Sequence, residues 1–175
     1  RFLDRWTGKI EVGFAKSKVS MKDIFIEYRD GKNLFRVGHF FEPYSLEYRI
    51  GSSDMKFNGA AVTGIAFGDR RKLGVSYTYN VDLLNVAAGV FSDKDVDNTE
   101  KGDEGYALSG RVLYRPYVND KDVIHVGVSS RFSALGEAEK NKVVYSAGAP
   151  SNLIPEKFLQ VDVTDAINEW RFGTE

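Results

Sequence analysis

The stretch Lys72 to Ser92, "KLGVSYTYNVDLLNVAAGVFS", decides the fold. Its first half alternates. Leu73, Val75, Tyr77 and Tyr79 share one face, and Gly74, Ser76, Thr78 and Asn80 share the other. Its second half alternates again, with Leu84, Val86, Ala88 and Val90 opposing Asn85, Ala87, Gly89 and Phe91. Side chains of a strand point to opposite faces in turn, so period-two alternation of this kind marks strands with two unlike faces. Only a few residues, "NVD" from Asn80, part the two runs, which is the connection of adjacent antiparallel strands.

The same signal recurs on both sides. Trp6, Ile10, Val12 and Phe14 oppose Lys9 and Glu11, and Ile24, Ile26 and Tyr28 oppose Asp23, Glu27 and Arg29. Further on, Tyr106, Leu108, Val112 and Tyr114 oppose Ser109, Arg111 and Arg115. Ile124, Val126, Val128 and Phe132 oppose His125, Gly127, Ser129 and Arg131. Each run is about 9 to 11 residues, longer than the usual soluble strand and suited to a tilted membrane strand.

The connections carry a second pattern. "DGKN" from Asp30, "NVD" from Asn80 and "YVNDKD" from Tyr117 are short. The stretches from Glu42 to Arg71, from Ser92 through "SDKDVDNTEKGDE", and from Ser133 to about Asp165 are long. Short and long alternate, so an up-and-down meander collects the turns at one end and the loops at the other. That asymmetry is the one found in outer-membrane barrels. Aromatic residues near strand ends (Trp6, Tyr28, Tyr79, Tyr106, Tyr114, Trp170) match the girdles of such barrels. Alternation by itself leaves open which face points inward, because a soluble sandwich also turns one apolar face to its core.

Bulk properties exclude several classes. With 24 Lys and Arg against 25 Asp and Glu, the net charge is −1, and nothing draws the chain to nucleic acid. There is no cysteine, hence no disulfide framework and no thiolate metal site. No apolar run approaches the roughly 20 residues of a membrane helix. The chain opens on Arg1 without a leader, and "NEWRFGTE" begins as a strand and stops. Residues 1–175 are therefore expected to be one β-barrel domain, truncated at the C-terminal end and lacking its N-terminal part.

One segment, "FRVGHFFEPYSLEYRIGSSDMKFNG" from Phe35 to Gly59, starts as a strand and then leaves the pattern for nearly thirty residues. Within "KDIFIEYRDGKNLFRVGHFFEPYSLEYRIGSSDMKF" stand Asp23, the aromatic stretch Phe25 to Tyr28, then Gly38, Phe40, Tyr44, Leu46, Glu47 and the pair Ser52 and Ser53. This ordered series resembles the phosphate-selective porin family, the O and P type. The likeness continues through "KLGVSYTYN", "AAGVFSDKD", "YALSGRVLYRP", "DVIHVGVSSRF" and "NEWRFGTE". The resemblance implies an all-β protein, an antiparallel up-and-down transmembrane β-barrel, of which this chain is about half of a sixteen-stranded whole. It implies a homotrimer in the bacterial outer membrane, surrounded by outer-membrane lipid. It also implies that the long stretch after Phe41 folds inward and narrows the lumen. A loop lining a water-filled channel satisfies its backbone groups there.

Members selective for phosphate line the constriction with Arg and Lys, backed by Asp and Ser, since basic side chains replace the lost hydration of an anion. Asp23 matches the family's pore-facing Asp, Ser52 and Ser53 its Ser pair, and Arg36 a basic position. The family's Lys after Leu-Glu falls on Tyr48 counted from Leu46 and Glu47, and on Arg49 counted from the Ser pair. His39 stands where the family has Arg, and "KFNGAA" where it has Glu-Arg.

Candidate pore and anion-binding residues are thus Asp23, Arg36, Tyr48, Arg49, Ser52, Ser53, Arg70, Arg71, Arg111 and Arg131. Arg49, Arg70 and Arg71 suit an anion filter or, equally, solvated loop charges. Arg36, Arg111, Arg115 and Arg131 suit a basic track, but Glu11, Asp23 and Glu27 on the same face suit ion pairing across the wall. Asp93, Asp95 and Asp97 alternate like the start of a calcium loop but lack its Gly and its bidentate Glu, and read as a solvated loop. His39 and His125 have no partner at ligand or catalytic spacing. No nucleophile elbow or phosphate loop occurs, so no enzyme activity and no cofactor is expected. The function expected is a diffusion channel for small solutes, anions such as phosphate among them. Two alternatives remain at this point: a small closed eight-stranded membrane barrel with a structural or adhesive role, and a soluble β-barrel binding module with Val75 and Val126 facing a ligand cavity.

Overall fold

The structure, a computed structural model, describes residues 4–14, 18–45, 61–68, 71–94, 105–119, 122–136, 143–148 and 157–175. Eight strands form one antiparallel sheet. They are β1 (Trp6–Gly13), β2 (Ser20–Asp30), β3 (Asn33–Phe41), β4 (Arg71–Asn80), β5 (Leu84–Ser92), β6 (Tyr106–Val118), β7 (Val123–Ala134) and, after two intervening strands, β10 (Asn168–Thr174). The intervening β8 (Val143–Gly148) and β9 (Lys157–Val163) pair as a separate hairpin. A six-residue helix, α1 (Val62–Phe67), lies between β3 and β4.

Chain order equals spatial order from β1 to β7, which is the meander expected from the alternating connections. The β2–β3 turn is tight because Gly31 takes φ +56, a left-handed conformation in which an L side chain is strained. The β4–β5 turn closes with reciprocal bonds between Val81 and Leu84. The β6–β7 turn is held by Asn119, whose backbone N–H and side-chain oxygen both engage Asp122. A barrel closed on eight strands would pair β1 with β10, whereas among the described residues these two are the ends of the sheet.

Burial settles which face is which. Val75 is 54% exposed and Val126 57%, and Ile26, Val37, Leu73, Val90, Leu108 and Val128 are exposed as well. The neighbouring residues on the opposite face, among them Glu27, Ser76, Ser109, Arg111, Ser129, Arg131 and Ser133, are buried. A water-soluble barrel has the reverse arrangement, because exposed apolar surface is unfavourable in water. Val75 and Val126 therefore do not line a ligand cavity. The outward face suits hydrocarbon, and the inward face is polar, as in a transmembrane barrel.

Two parts of the long connections differ from the loop reading. Residues of the stretch after Ser133 form the β8–β9 hairpin, and part of the stretch after Glu42 forms α1. Neither has a clean amphipathic period to announce it. β9 is exposed along its whole length, and α1 has no side-chain cap at its start.

Candidate functional site: the lumen-facing wall

Strand register turns scattered sequence positions into rows across the wall. One inward row runs Glu27, Arg36, Ser76, Gly89, Ser109, Arg131 and Arg171 from β2 to β10. The next row toward the long connections runs Phe25, Gly38, Gly74, Phe91, Ala107, Ser133 and Glu169. These rows divide the wall into an aromatic part and a charged part.

The aromatic part lies over β2–β5. The Phe91 ring covers Gly74 on the next strand and Gly89 on its own, and a Cβ at either glycine would overlap that ring. Phe40 meets Phe91 edge-on at 5.4 Å and Phe25 at 6.0 Å. Arg36 stands over this cluster, its guanidinium carbon 4.2 Å from the Phe25 ring centre and 5.2 Å from that of Phe40. The ring faces attract the cation, and Arg36 also donates to Glu27 at 3.0 and 2.5 Å.

The charged part lies along the long-connection end and over β6–β10. Asp23 accepts from Lys9 and Arg71, each at 2.6 Å, and Arg71 also lies 4.1 Å from the Phe41 ring centre. Arg111 makes a two-pronged pair with Glu175 at 2.8 and 2.5 Å. Arg131 donates to Glu42 at 3.2 Å, Asp93 at 3.2 Å and Glu169 at 3.4 Å. Ser133 donates to Asp93 and Tyr145 to Glu169, while Lys72 donates to the Asp93 backbone carbonyl at 2.5 Å. Arg115 bonds the Val81 carbonyl at the short-turn end.

Of the residues singled out by sequence, the structure thus places Asp23, Arg36, Arg71, Arg111 and Arg131 in carboxylate–cation pairs. Tyr48, Arg49, Ser52, Ser53 and Arg70 lie outside the described residues. Sequence reasoning missed Glu42, Asp93, Glu169, Glu175 and Tyr145. A signal existed for two of them: Glu169 shares the face of Arg171, and Asp93 is the first residue past a strand end whose face carries Phe91. Asp93 was read as a solvated loop acid, yet its side chain is 15% exposed and pairs with Arg131. His39 sits against the Lys22 carbonyl, 2.6 Å from Nδ1, so that nitrogen carries the proton.

The first residues after β3 lie against this wall. Glu42 directly follows β3, whereas Arg131 is on β7, four strand spacings or about 19 Å away around the sheet. Their contact requires a curved sheet and a chain that turns onto its concave face. Tyr44 continues the crossing, because a Cβ at Gly173 of β10 would lie 3.7 Å from its hydroxyl. The other described end, α1, reaches the same region. Arg171 donates to the Phe67 carbonyl at 2.8 Å, and the Phe67 ring packs 5.2 Å from Tyr145. A polar cavity of about 420 Å³ opens beside α1, with Lys72, Asp93, Arg131, Glu169 and Arg171 among its walls.

Comparison with known proteins agrees with this architecture. The family model for phosphate-selective porin O and P matches residues 3–142. The chain belongs to that family. It is also 31% identical over 136 residues to an uncharacterized protein of Caulobacter vibrioides, covering 73% of this chain and 27% of that relative. The chain thus spans about a quarter of the length of the relative it matches. Family membership makes the polar concave face the side of a porin lumen and the apolar convex face the side of the outer-membrane lipid. The porin wall built by these residues is charge-dense yet largely compensated: Arg36, Arg71, Arg111 and Arg131 are each held by a carboxylate, and Arg115 by a backbone carbonyl.

Proposed function

We propose that the full-length protein forms a water-filled diffusion channel across the bacterial outer membrane, passing small solutes and favouring anions such as phosphate. The observation that carries the channel reading is the inversion of the sheet: apolar residues outside, serines and ion pairs inside. Such a wall is stable only if lipid meets one face and water or solute the other. A homotrimer is part of the same reading and rests on the family alone.

The anion preference is the finer part. In this reading Asp23, Arg36, Arg71, Arg111 and Arg131 set the charge of the wall, and Arg36 retains N–H donors beyond those bonded to Glu27. Because these cations are paired, the net preference rests on Arg49 and Arg70, with Tyr48, Ser52 and Ser53 supplying further hydrogen-bonding groups. A guanidinium without a fixed carboxylate offers its charge to a passing anion; a paired one offers much less.

The test is the reversal potential of the full-length protein in a planar bilayer under a potassium chloride gradient, with and without phosphate. Anion preference and a chloride current reduced by phosphate are expected, both weakened in Arg49→Ala. Cation preference, or indifference to phosphate, would remove the anion part. A protein that folds into bilayers and carries no current would remove the channel itself.

A further inference from the structure

Arg131 is the largest fully enclosed side chain among the described residues, 2% exposed. Its guanidinium is shared among carboxylates from separate parts of the chain. Glu42 follows β3, Asp93 follows β5 and Glu169 belongs to β10, while Arg131 itself stands on β7. Two of these acids are fixed by second donors, Asp93 by Ser133 and Glu169 by Tyr145. The Glu42 side chain has no exposed surface at all. An arginine that meets passing solute turns its donors toward water. This one turns them toward fixed acids and leaves almost no surface of its own exposed.

We infer that Arg131 is a positioning residue: it clamps the segment after β3 and the start of the β5–β6 connection onto the β7–β10 wall, and so sets the width and steadiness of the passage. The inference rests on the channel reading for its consequence and on the geometry alone for the clamp. Without the guanidinium, Glu169 keeps Arg171 at 2.7 Å, but Glu42 and Asp93 lose the cation they share, and their like charges press the segment bearing Glu42 away from the wall. Lysine cannot substitute, because one ammonium point does not span acids arranged around a planar fork.

Two readouts test it in the full-length protein reconstituted in lipid, with folding checked by heat-modifiable gel mobility. The first is hydrogen–deuterium exchange of the backbone amides of Glu42, Tyr44 and Ser45, Pro43 carrying none. The second is single-channel noise. Arg131→Lys keeps the charge, and Glu42→Gln removes one negative charge. Both are expected to speed exchange at 42–45 several-fold and to raise open-channel noise several-fold, although they change the charge differently. A residue acting only by its charge would leave noise and exchange alone and shift the reversal potential in step with charge. Quiet currents and unchanged exchange in both variants would therefore overturn the clamp. If Arg131→Lys fails to fold, Glu42→Gln decides by the same readouts. If the wild type carries no current, the channel reading falls, and exchange at 42–45 alone decides whether the clamp exists.

Discussion

The two faces of β4 share a backbone and a register but follow opposite rules. On the convex side Leu73, Val75, Tyr77 and Tyr79 stand exposed, with Tyr77 packed 4.9 Å from Phe35 on β3. On the concave side Gly74 and Ser76 are covered, Gly74 by the Phe91 ring. Outside, side-chain identity matters little beyond being apolar, because lipid is a fluid neighbour that fits any shape. Inside, shape and charge are matched residue by residue, because the neighbours are other side chains at fixed distances. The convex face is therefore expected to be sensitive to polarity and tolerant of size, and the concave face the reverse.

The largest break in that comparison is a charge on the lipid side. Val75→Lys places an ammonium near the middle of β4, with no partner on its face, and should lower stability by about 2–4 kcal/mol. Urea unfolding of the full-length protein in lipid vesicles measures it. A loss under about 0.5 kcal/mol, typical of an ordinary surface site, would mean that the convex face is not a lipid face.

The next break is in size, on the other side of the same strand. Gly74→Val adds apolar bulk where the Phe91 ring and the Val90 carbonyl leave no room, and overpacking of this kind should cost about 1–3 kcal/mol. The same unfolding experiment, run beside Val75→Leu as the size change on the convex face, gives the contrast. Equal effects from Gly74→Val and Val75→Leu would show that the concave face is no better packed than the lipid face.

Much of this was legible in the sequence, and the limit has a physical cause. Alternation in "KLGVSYTYN" identified strand and faces, and the alternating connection lengths identified the meander, since both are local in the chain. The direction of the faces was not local. Val75 reads the same in a soluble sandwich and in a membrane barrel, and only its burial in the folded sheet separates them. The clamp was hidden for the same reason. Arg131 was visible as an inward charge, but Glu42, Asp93 and Glu169 are 89, 38 and 38 residues from it, and only register and curvature bring them together. The β8–β9 hairpin and α1 were missed because their residues carry neither a long strand alternation nor a helical apolar stripe.

The smallest expected change in stability sharpens the comparison most. Thr78 shares β4 with Val75 but faces inward, in register with Leu34 and Ala87. Thr78→Lys introduces the same ammonium as Val75→Lys, three residues along the strand and on the opposite face. If the concave side is wetted, water solvates the new charge, and stability should stay within about 0.5 kcal/mol of wild type. The reversal potential should then move toward anions, because an unpaired cation in a wall of compensated pairs adds its full charge to the lumen. Val75→Lys should leave the reversal potential unmoved in whatever fraction folds. A Thr78→Lys protein as unstable as Val75→Lys would mean that the inward face at that height is packed and dry. The passage would then have to run along the β6–β10 side, past Arg111 and the cavity beside α1.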